Sequence, residues 1–562
     1  MRTYDKFYIN GQWVNPIGQE ISDVINPANG EISARVPMGN AKDVNAAVAA
    51  AKEAFTSWSQ TSATVREGFL RKLAAEGEKR NAELTQTIID ELGMPIQHAA
   101  AYQVDALGII CESYADKAHL MEEEKKVGNS VIIKEPIGVC AMINPWNYPI
   151  WQMIGKVAPA IAAGCTMVVK SAPQTPSHLF IFAEMCEAVG LPAGVFNFVH
   201  GDGEVVGQRL SNHPDVDLVS FTGSTRAGVQ VSNAAAPTVK RVCLELGGKS
   251  PFIITKEADI EAAIDFGIGD VMINTGQTCN ALTRMIIHES IYDKAIQLAK
   301  DKTEALAVGD PSDPNVFVGP MSSEDQKQTV LNYINKGIKE GARLVTGGTE
   351  MPDGISKGNY VRPTVFADVT NDMVIAQEEI FGPVLSMIKY ATIDEAIRIA
   401  NDTPYGLATA VWAEDKEKAK VIAKKIKAGQ CAINGGEANY EAPFGGYKES
   451  GNGREFGDAG LHEYCEIKSM SIDGSCFTLS LFGEQVTCNT TVVGKYNISN
   501  MMAAVGLAWC GGLSISEIAS GLKRFKGVPG RLEKIVTHLD FSVFVDFAHT
   551  DDALRHLLST LK

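Results

Sequence analysis

The chain has 562 residues, which at about 150 residues per domain predicts three or four domain-sized pieces and not one compact core. Hydrophobic residues make up 45% and charged residues 21%, a mixture typical of a folded soluble protein and not of a disordered chain. The 51 Lys and Arg against 67 Asp and Glu give a net charge of −16 without a dense basic run, which argues against nucleic acid or an anionic membrane as a partner.

The opening segment MRTYDKFYINGQW has no long apolar core after Arg2, so it does not resemble a secretory signal, and the cytosol is the expected location. The longest apolar stretch, residues 150–169, is interrupted by Gln, Lys, Pro and Gly, which disfavours a membrane helix. The 11 Cys are sparse and include neither a CxxC pair nor a zinc-type Cys/His spacing. We therefore expect reduced thiols and no metal site.

Helical patterns alternate with short β-branched runs along most of the chain. The segment VNAAVAAAKEAF (44–55) has the pattern of a helix. Strand-like runs follow it at 131–134, 167–170, 195–200, 218–222, 252–255, 285–288 and 384–388. This alternation predicts a large doubly wound α/β architecture. A further strand is predicted at 463–472, and the character of the sequence changes near Ser471, where we place a junction.

Two residues stand out because of their immediate neighbours. Cys279 lies in NTGQTCNALTR (274–284), where Gly276 and small polar residues leave a thiol open to close approach by a substrate; a buried structural Cys is the alternative. Glu245 lies in LELGGKSP (244–251), where two glycines allow the backbone to bend tightly; a surface Glu is the alternative.

Glycine-rich segments raise the question of a nucleotide site. GGKS (247–250) is not a P-loop, because Cys243 stands where that motif needs its first Gly. GDGEVVG (201–207) and GNGREFG (451–457) each place the last Gly of GxGxxG one residue late. FTGSTRAG (221–228) follows a predicted strand and opens a predicted helix, so it indicates either a pyrophosphate site or a plain turn.

Taken together, the motifs from about Asp5 to Ile472 resemble the NAD(P)-dependent aldehyde dehydrogenases. They follow in family order: INGQW (9–13), NPWNYP (144–149), VVKSAPQTP (168–176), FTGSTRAG (221–228), LELGGKSP (244–251), GQTC (276–279), QEEIFGPV (377–384) and PFGGYKESGNGRE (443–455). The spacing between Glu245 and Cys279 also matches that family.

The resemblance implies a catalytic role for four residues. Cys279 is the implied nucleophile, attacking the aldehyde carbonyl as a low-pKa thiolate to form a thiohemiacetal. Asn147 is the implied side-chain donor of an oxyanion hole, with the backbone N–H of Cys279. After hydride transfer leaves a thioester, Glu245 is the implied base that activates water. Lys156 matches a lysine credited with proton relay, although a helical lysine is more often on a solvated face.

The resemblance also implies NAD as the cofactor. Lys170 is expected at the adenosine ribose, Ser224 at the pyrophosphate, and Glu379 at the nicotinamide ribose. The full expected set is Trp146, Lys170, Gly223, Ser224, Gly228, Gly247, Glu379 and Phe381. NADP is not excluded, because Pro173 replaces the acidic residue that would bind the ribose 2′-hydroxyl. Leu282 is bulkier than the usual family residue and is expected to reshape the substrate tunnel or the catalytic loop.

The domain organisation implied by the resemblance is two Rossmann-like domains with a bridging β-ribbon, in a homodimer or homotetramer acting on a small-molecule aldehyde. The cofactor-binding domain is expected at 1–116 and 137–247, the catalytic domain at 248–447, and the bridging ribbon at 117–136 and 448–472.

Residues 473–562 resemble, in part, a second family, the ATP-dependent Mur ligases. The motifs are GKYNISNMMAA (494–504), GVPGRLE (527–533) and VDFAHTDDAL (545–554), the last containing Asp546 and His549. The chain has no P-loop, so an active amide ligase is not expected. We expect this tail to be silent, poorly packed and close to a subunit interface, where it disturbs assembly.

Two other functions stay open at this point. An acylating dehydrogenase would pass the thioester to coenzyme A or phosphate, but Glu245 argues against it because a positioned base serves hydrolysis. A silent scaffold is disfavoured by the joint presence of Cys279, Glu245, Asn147 and Glu379. The sequence does not identify the aldehyde.

Overall fold

The computed structural model describes residues 1–127, 130–471, 474–481, 483–492, 495–528, 533–535, 543–545 and 555. Two compact units divide the chain: the first comprises Met1–Met121 and Glu135–Glu466, and the second Glu122–Lys134 and Ile467–Lys562. Among the described helices, none has the length and apolar character that crossing a membrane requires.

The strands are numbered in chain order. They are β1 Arg2–Thr3, β2 Phe7–Ile9, β3 Gln12–Val14, β4 Glu20–Ile25, β5 Ile32–Met38, β6 Lys125–Val127, β7 Ser130–Pro136, β8 Val139–Ile143, β9 Thr166–Lys170, β10 Phe196–Phe198, β11 Leu218–Thr222, β12 Arg241–Glu245, β13 Pro251–Ile254, β14 Arg284–His288, β15 Arg343–Thr346, β16 Thr364–Ala367, β17 Val384–Tyr390, β18 Ala408–Trp412, β19 Gln430–Ile433, β20 Gly451–Asn452, β21 Cys465–Ser471, β22 Ser475–Leu481, β23 Glu484–Thr490, β24 Glu533–Ile535 and β25 Val543–Val545.

The helices are numbered in the same way. They are α1 Ala41–Trp58, α2 Ala63–Lys79, α3 Asn81–Leu92, α4 Ile96–Ala99, α5 Asp105–Lys117, α6 Pro149–Ala163, α7 Ser177–Ala188, α8 Gln208–Asn212, α9 Thr225–Ala235, α10 Ile260–Met272, α11 Tyr292–Glu304, α12 Glu324–Lys339, α13 Val374–Gln377, α14 Ile393–Asn401, α15 Lys416–Ala423, α16 Gly457–Glu463, α17 Lys495–Cys510 and α18 Ile515–Arg524.

The first unit contains an eight-stranded sheet in the order β20-β12-β11-β8-β9-β10-β2-β3. The five strands from β12 to β10 are parallel, and antiparallel strands lie at both edges. Strand β8 is buried throughout, and its residues alternate between two apolar clusters, with Ala141 on one face and Met142 on the other. Burial on both faces explains why the central strands are continuous apolar runs.

A seven-stranded sheet in the same unit has the order β15-β16-β17-β14-β13-β18-β19. All its strands are parallel except β15, which pairs antiparallel with β16. Phe252 and Ile253 face different apolar clusters, so this sheet is also covered on both sides.

The predicted doubly wound architecture is therefore confirmed in two sheets. Each predicted strand corresponds to an observed strand, and the predicted helix 44–55 lies inside α1. The predicted strand 195–200 is shorter in the structure, Phe196–Phe198. Its first residue, Val195, instead donates its N–H to the Pro192 carbonyl in a turn.

The second unit contains a three-stranded sheet in the order β21-β7-β6 and a β22-β23 hairpin. The hairpin packs with α17 and α18 around a small apolar cluster that includes Leu479, Val505 and Ile518. The tail therefore has a small core of its own. Its outer apolar faces are nevertheless uncovered, as expected, since Leu507 is 77% exposed and Met502, Leu513, Phe525 and Val528 are exposed as well. The ligase-like motif 545–554, with Asp546 and His549, lies outside the described residues except for its first residue.

The start of α1 is fixed by a capping box that also holds the preceding loop. Asp43 accepts hydrogen bonds from the N–H groups of Asn40 (2.9 Å) and Ile17 (2.8 Å), and it is 2% exposed. We expect Asp43→Ala to lower the thermal unfolding midpoint by about 1–3 °C, because the helix cap is lost and two backbone N–H groups lose their acceptor. Glu53→Ala, an exposed position of α1, is the control and should leave the midpoint unchanged in differential scanning calorimetry. Equal midpoints for both variants would contradict this account.

Candidate active site

A strained loop precedes Cys279. Asn274, Thr275 and Gly276 all have left-handed backbone angles, with φ of 49°, 56° and 70°. A Cβ at Gly276 would lie 2.1 Å from the carbonyl oxygen of Gly382, so only glycine fits there. Such conformations cost free energy in non-glycine residues and are retained only where the surrounding contacts impose them.

Side-chain amides impose that conformation. Asn147 Nδ2 donates to the carbonyl of Gln277 (2.9 Å), and Asn274 Nδ2 donates to the carbonyl of Asn147 (2.9 Å). The Tyr148 hydroxyl lies 2.8 Å from the Thr278 hydroxyl. The structure therefore brings the predicted donor Asn147 to the loop of the predicted nucleophile Cys279.

Gln103 is a supporting residue that the sequence motifs did not reveal. Its side chain is fully buried; Oε1 accepts from the N–H groups of Ile150 and Trp151 at the start of α6, and Nε2 donates to the Asn147 carbonyl (3.4 Å). Gln103 thereby fixes the N-terminus of α6, which lies next to Asn147. Gln103 lies in a helical region without a recognisable motif, so no sequence signal marked it.

The chain leaves the loop through Leu282. Its N–H donates to Asp270 (2.8 Å), and its side chain is 3% exposed in the apolar cluster that contains Phe252 and Met285. The expectation that Leu282 reshapes the substrate tunnel is therefore wrong, because the side chain fills the core of the seven-stranded sheet.

The Cys279 thiol is half-buried and lies near several carboxylates. Burial raises its pKa, and the negative charges of Glu379, Glu245 and Glu455 raise it further. The expected low-pKa thiolate is thus not what this structure shows. A proton acceptor or a nearby positive charge is needed before the sulfur can attack a carbonyl.

Glu245 is the last residue of β12 and is 5% exposed, so the surface-Glu alternative is wrong. Among the described residues its Oε2 atom has no hydrogen-bond partner. Burial raises the pKa of Glu245 well above its usual value, and the neighbouring Glu455 raises it further, while Lys156 and Arg454 lower it. These are properties of a carboxylate that can accept a proton near neutral pH.

Lys156 is not on a solvated face: it is fully buried in α6, so that alternative is wrong too. Its Nζ lies 2.7 Å from a carboxylate oxygen of Glu455 and donates to the Thr222 hydroxyl (2.7 Å). Glu455 was not singled out from the sequence, although it ends the motif PFGGYKESGNGRE. Glu245, Lys156 and Glu455 therefore form one buried electrostatic group.

Glu379 lies against the glycines that follow Glu245. Its Oε1 accepts from the N–H of Gly248 (2.9 Å), and a Cβ on Gly247 would lie 2.3 Å from its Oε2. Burial raises the pKa of Glu379 to about 7, opposed by the Gly248 hydrogen bond and by Lys249. The predicted pair Gly247 and Glu379 is thus in direct contact.

The segment FTGSTRAG forms the predicted strand-to-helix connection. Ser224 is the N-cap of α9, where its hydroxyl accepts from the N–H of Ala227 (3.3 Å). Gly223 donates its N–H to the Glu245 carbonyl, and a Cβ on Gly228 would lie 2.7 Å from Leu246. Free N–H groups at a helix start favour an anion such as a pyrophosphate.

The remaining predicted cofactor residues occupy two places. The indole of Trp146 meets the Phe381 ring edge-on at 5.3 Å, and Phe381 has a left-handed φ of 56°. Lys170, at the end of β9, is 3% exposed and donates to the Ser171 carbonyl (2.8 Å). Burial lowers the pKa of Lys170 to about 8, opposed by Asp202.

These donors and acceptors fit a dinucleotide: a helix N-terminus for phosphates, and a lysine and a carboxylate for ribose hydroxyls. They do not fit a metal, because within the described ranges no three His, Cys, Asp or Glu side chains are grouped to hold one. The donors and acceptors of the site are therefore compatible with a bound dinucleotide beside Cys279.

A family model described as the aldehyde dehydrogenase family matches residues 13–470. The chain belongs to this family. The chain is similar to 3-succinoylsemialdehyde-pyridine dehydrogenase of a Pseudomonas species. The two are 45% identical over 481 residues, which cover 84% of this chain and 100% of that protein.

Solved structures of other aldehyde dehydrogenases have the same fold. One from Pseudomonas syringae, a cysteine-to-alanine variant in complex with NAD+ and octanal, is 46% identical, with a TM-score of 0.82 over 83% of this chain and 96% of that one. One from Bartonella henselae is 43% identical, with a TM-score of 0.82 over 84% and 100%. The predicted family and its α/β fold are confirmed. Residues 471–562 lie outside the family match, so the ligase resemblance stays a prediction.

In this aldehyde dehydrogenase we expect the buried ion pair of Lys156 and Glu455 to contribute to stability. Lys156→Met should lower the free energy of unfolding by about 3–5 kcal/mol, because Glu455 is left buried without its cation. The double variant Lys156→Met/Glu455→Gln should recover most of that loss. Urea unfolding followed by tryptophan fluorescence measures both.

Lys52→Met is the matched control, since Lys52 pairs with Asp215 at the surface and should change the free energy of unfolding by about 1 kcal/mol or less. A loss in Lys156→Met no larger than in this control would contradict the role of the buried pair.

Proposed function

We propose that this protein oxidises an aldehyde to a carboxylic acid with NAD, by way of a thiohemiacetal and a thioester on Cys279. The observation that carries the proposal is the convergence of Cys279, Asn147 and the carboxylates of Glu245 and Glu379 in one site. Each of these groups has a separate chemical task.

In the first step the Cys279 sulfur forms a bond to the aldehyde carbon, and the carbonyl oxygen becomes an alkoxide. The side-chain amide of Asn147 has two N–H donors, of which one holds Gln277 in place. We assign the second donor and the Cys279 N–H to the alkoxide, a role worth about 3–4 kcal/mol per donor. Glu245 receives the thiol proton, since burial and nearby carboxylates oppose spontaneous ionisation.

Bound NAD supplies the acceptor for the hydride that leaves the thiohemiacetal carbon. The oxidised product is then a thioester on Cys279, and Glu245 activates the water that cleaves it. Water adds to the thioester carbon as its proton passes to Glu245. The carbon–sulfur bond then breaks, the carboxylic acid leaves, and the Cys279 sulfur takes the proton back. We assign Lys156 and Glu455 to holding the charge of Glu245 and carrying its proton away, because both lie in the same buried group.

The cofactor assignment rests on the fit of the site. Ser224 and the start of α9 suit the pyrophosphate, Lys170 suits the adenosine ribose, and Glu379 suits the nicotinamide ribose. The NAD+ complexes of related aldehyde dehydrogenases from Pseudomonas syringae and Staphylococcus aureus support this assignment. Because Pro173 stands where an acid would repel a 2′-phosphate, NADP use is proposed as a secondary activity.

We also propose that the protein assembles through the three-stranded sheet of the second unit. Its edge strand β21 is exposed except at its first residue, with Ile467 75% and Met470 40% exposed. An edge strand of this kind offers unpaired backbone groups to a second copy.

Replacing Cys279 and Glu245 tests the nucleophile and the base separately. Cys279→Ala should abolish NADH formation, because no sulfur remains to hold the substrate. Glu245→Gln should slow steady-state turnover by about 100-fold or more, since the base that takes the thiol proton and activates water is lost. Stopped-flow absorbance and intact-protein mass spectrometry measure turnover and the thioester.

The controls use the same assay. Cys431→Ala removes an exposed thiol and should leave turnover unchanged. In the unmodified enzyme thioester hydrolysis should accelerate as pH rises, because the raised pKa keeps Glu245 protonated at low pH. Faster turnover with added coenzyme A would instead favour the acylating alternative, and full activity of Cys279→Ala would exclude the mechanism.

The assembly proposal gives a separate prediction. Full-length protein should form a homodimer or homotetramer in light scattering, and Ile467→Lys should shift it toward monomer by placing a charge on the exposed edge. Lys424 is exposed and lies outside this sheet, so Lys424→Met should leave the oligomer unchanged. The tail is expected to broaden the distribution of oligomer masses. A version ending at Ser471 that forms the same oligomers in the same proportions as the full-length protein would contradict that expectation.

A further inference from the structure

Lys249 is a buried cation that the proposed reaction does not use. The side chain is 1% exposed, at the turn that leads into β13, and among the described residues its Nζ has no hydrogen-bond partner. The hydroxyl of the adjacent Ser250, also 1% exposed, has none within the same described part of the chain. Unsatisfied buried groups of this kind carry a large free-energy cost unless a ligand meets them.

Both residues line one small recess with a cavity volume of about 10 Å³, which is room for a single small ion or water. Thr403, Tyr405 and Lys427 line it as well, together with apolar side chains. The recess thus combines a buried ammonium, hydroxyl-bearing side chains and a second lysine, which is a donor-rich environment.

The charges around the recess are mainly positive. The Arg284 guanidinium donates to the Lys249 carbonyl (3.0 Å), and Lys448 Nζ donates to the Thr403 carbonyl (2.9 Å). The negative charge of Asp402 opposes these positive charges, because it raises the pKa of Arg284 and of Lys448.

The acids facing Lys249 do not form an ion pair with it. Glu379 and Glu378 act on it electrostatically, but no described carboxylate lies within ion-pair distance of its Nζ. Glu379 is already engaged by the Gly248 N–H. No described carboxylate therefore neutralises the Lys249 ammonium by direct contact, which leaves its Nζ open to an anion from outside the chain.

We propose that the recess at Lys249 and Ser250 binds one small monovalent inorganic anion of the size of chloride. One buried ammonium balances one negative charge, and the Ser250 hydroxyl and the Tyr405 phenol can donate further hydrogen bonds. This site is separate from aldehyde oxidation and does not depend on the proposed mechanism.

The site links anion binding to pH. Burial lowers the pKa of Lys249 to about 7, Arg284 lowers it further, and Glu379 and Glu378 oppose the shift. An anion beside Nζ favours the charged ammonium, so binding takes up a proton. Affinity therefore falls by about tenfold per pH unit above the pKa, because the neutral amine must first be protonated.

The experiment measures thermal unfolding of the full-length protein in sodium chloride or bromide against sodium gluconate at equal ionic strength. At about pH 6 the halide should raise the midpoint by about 2 °C or more over gluconate, because it binds only the folded state. At about pH 8.5 that difference should shrink by at least half.

Lys249→Met should remove the halide-specific shift, whereas Lys424→Met, at an exposed lysine that does not line the recess, should keep it. If Lys249→Met does not fold, Ser250→Ala should weaken halide affinity by about threefold or more through loss of one hydrogen bond. Bromide-soaked crystals should show an anomalous peak in the recess.

Equal midpoints in halide and gluconate for the unmodified protein at the lower pH would overturn the proposal. A halide shift that persists in full in folded Lys249→Met would overturn it as well, as would bromide peaks elsewhere on the protein with none in the recess.

Discussion

The active site depends on a reciprocal pair of amide hydrogen bonds. Asn147, which follows β8 of the eight-stranded sheet, holds the loop before Cys279 through the Gln277 carbonyl, and Asn274 of that loop returns a bond to the Asn147 carbonyl. The loop belongs to the segment that enters the seven-stranded sheet at β14. Two sheets that fold around separate cores are thereby joined at the loop of the proposed nucleophile Cys279, and the bonds offset the strain of the left-handed backbone at Asn274 and Thr275.

The second feature of this site is a group of buried carboxylates around the Cys279 thiol. Three carboxylates, those of Glu245, Glu379 and Glu455, act on the Cys279 thiol, and the fully buried Lys156 pairs with one of them. Burial makes each negative charge costly, so the thiol and the carboxyl groups keep their protons at a higher pH than they would in water. In the proposed mechanism, Cys279 stays protonated until substrate and base are in place, which protects the thiol from side reactions.

Much of the fold could be predicted from the sequence. Continuous apolar runs such as residues 218–222 predicted buried parallel strands, since both faces of such strands are covered. Cys279, Glu245 and Asn147 were predicted as site residues because each lies in a dense local motif, and the structure brings them into one region. Gln103 and the role of Glu455 were missed, because neither is adjacent in sequence to the residues that it contacts. Leu282 was placed wrongly for a related reason: local sequence does not tell which side of a loop a side chain faces.

The sequence by itself determined the α/β class, the order of the strands along the chain and the chemical identity of the groups at the site. These depend on local patterns of apolar and small residues, which a linear reading preserves. Only the tertiary structure decided the ionisation of Cys279 and Glu245, the burial of Lys156 and the isolation of Lys249. Those properties arise from desolvation and from charges contributed by distant segments, and the free energy of a buried charge is set by what surrounds it in space.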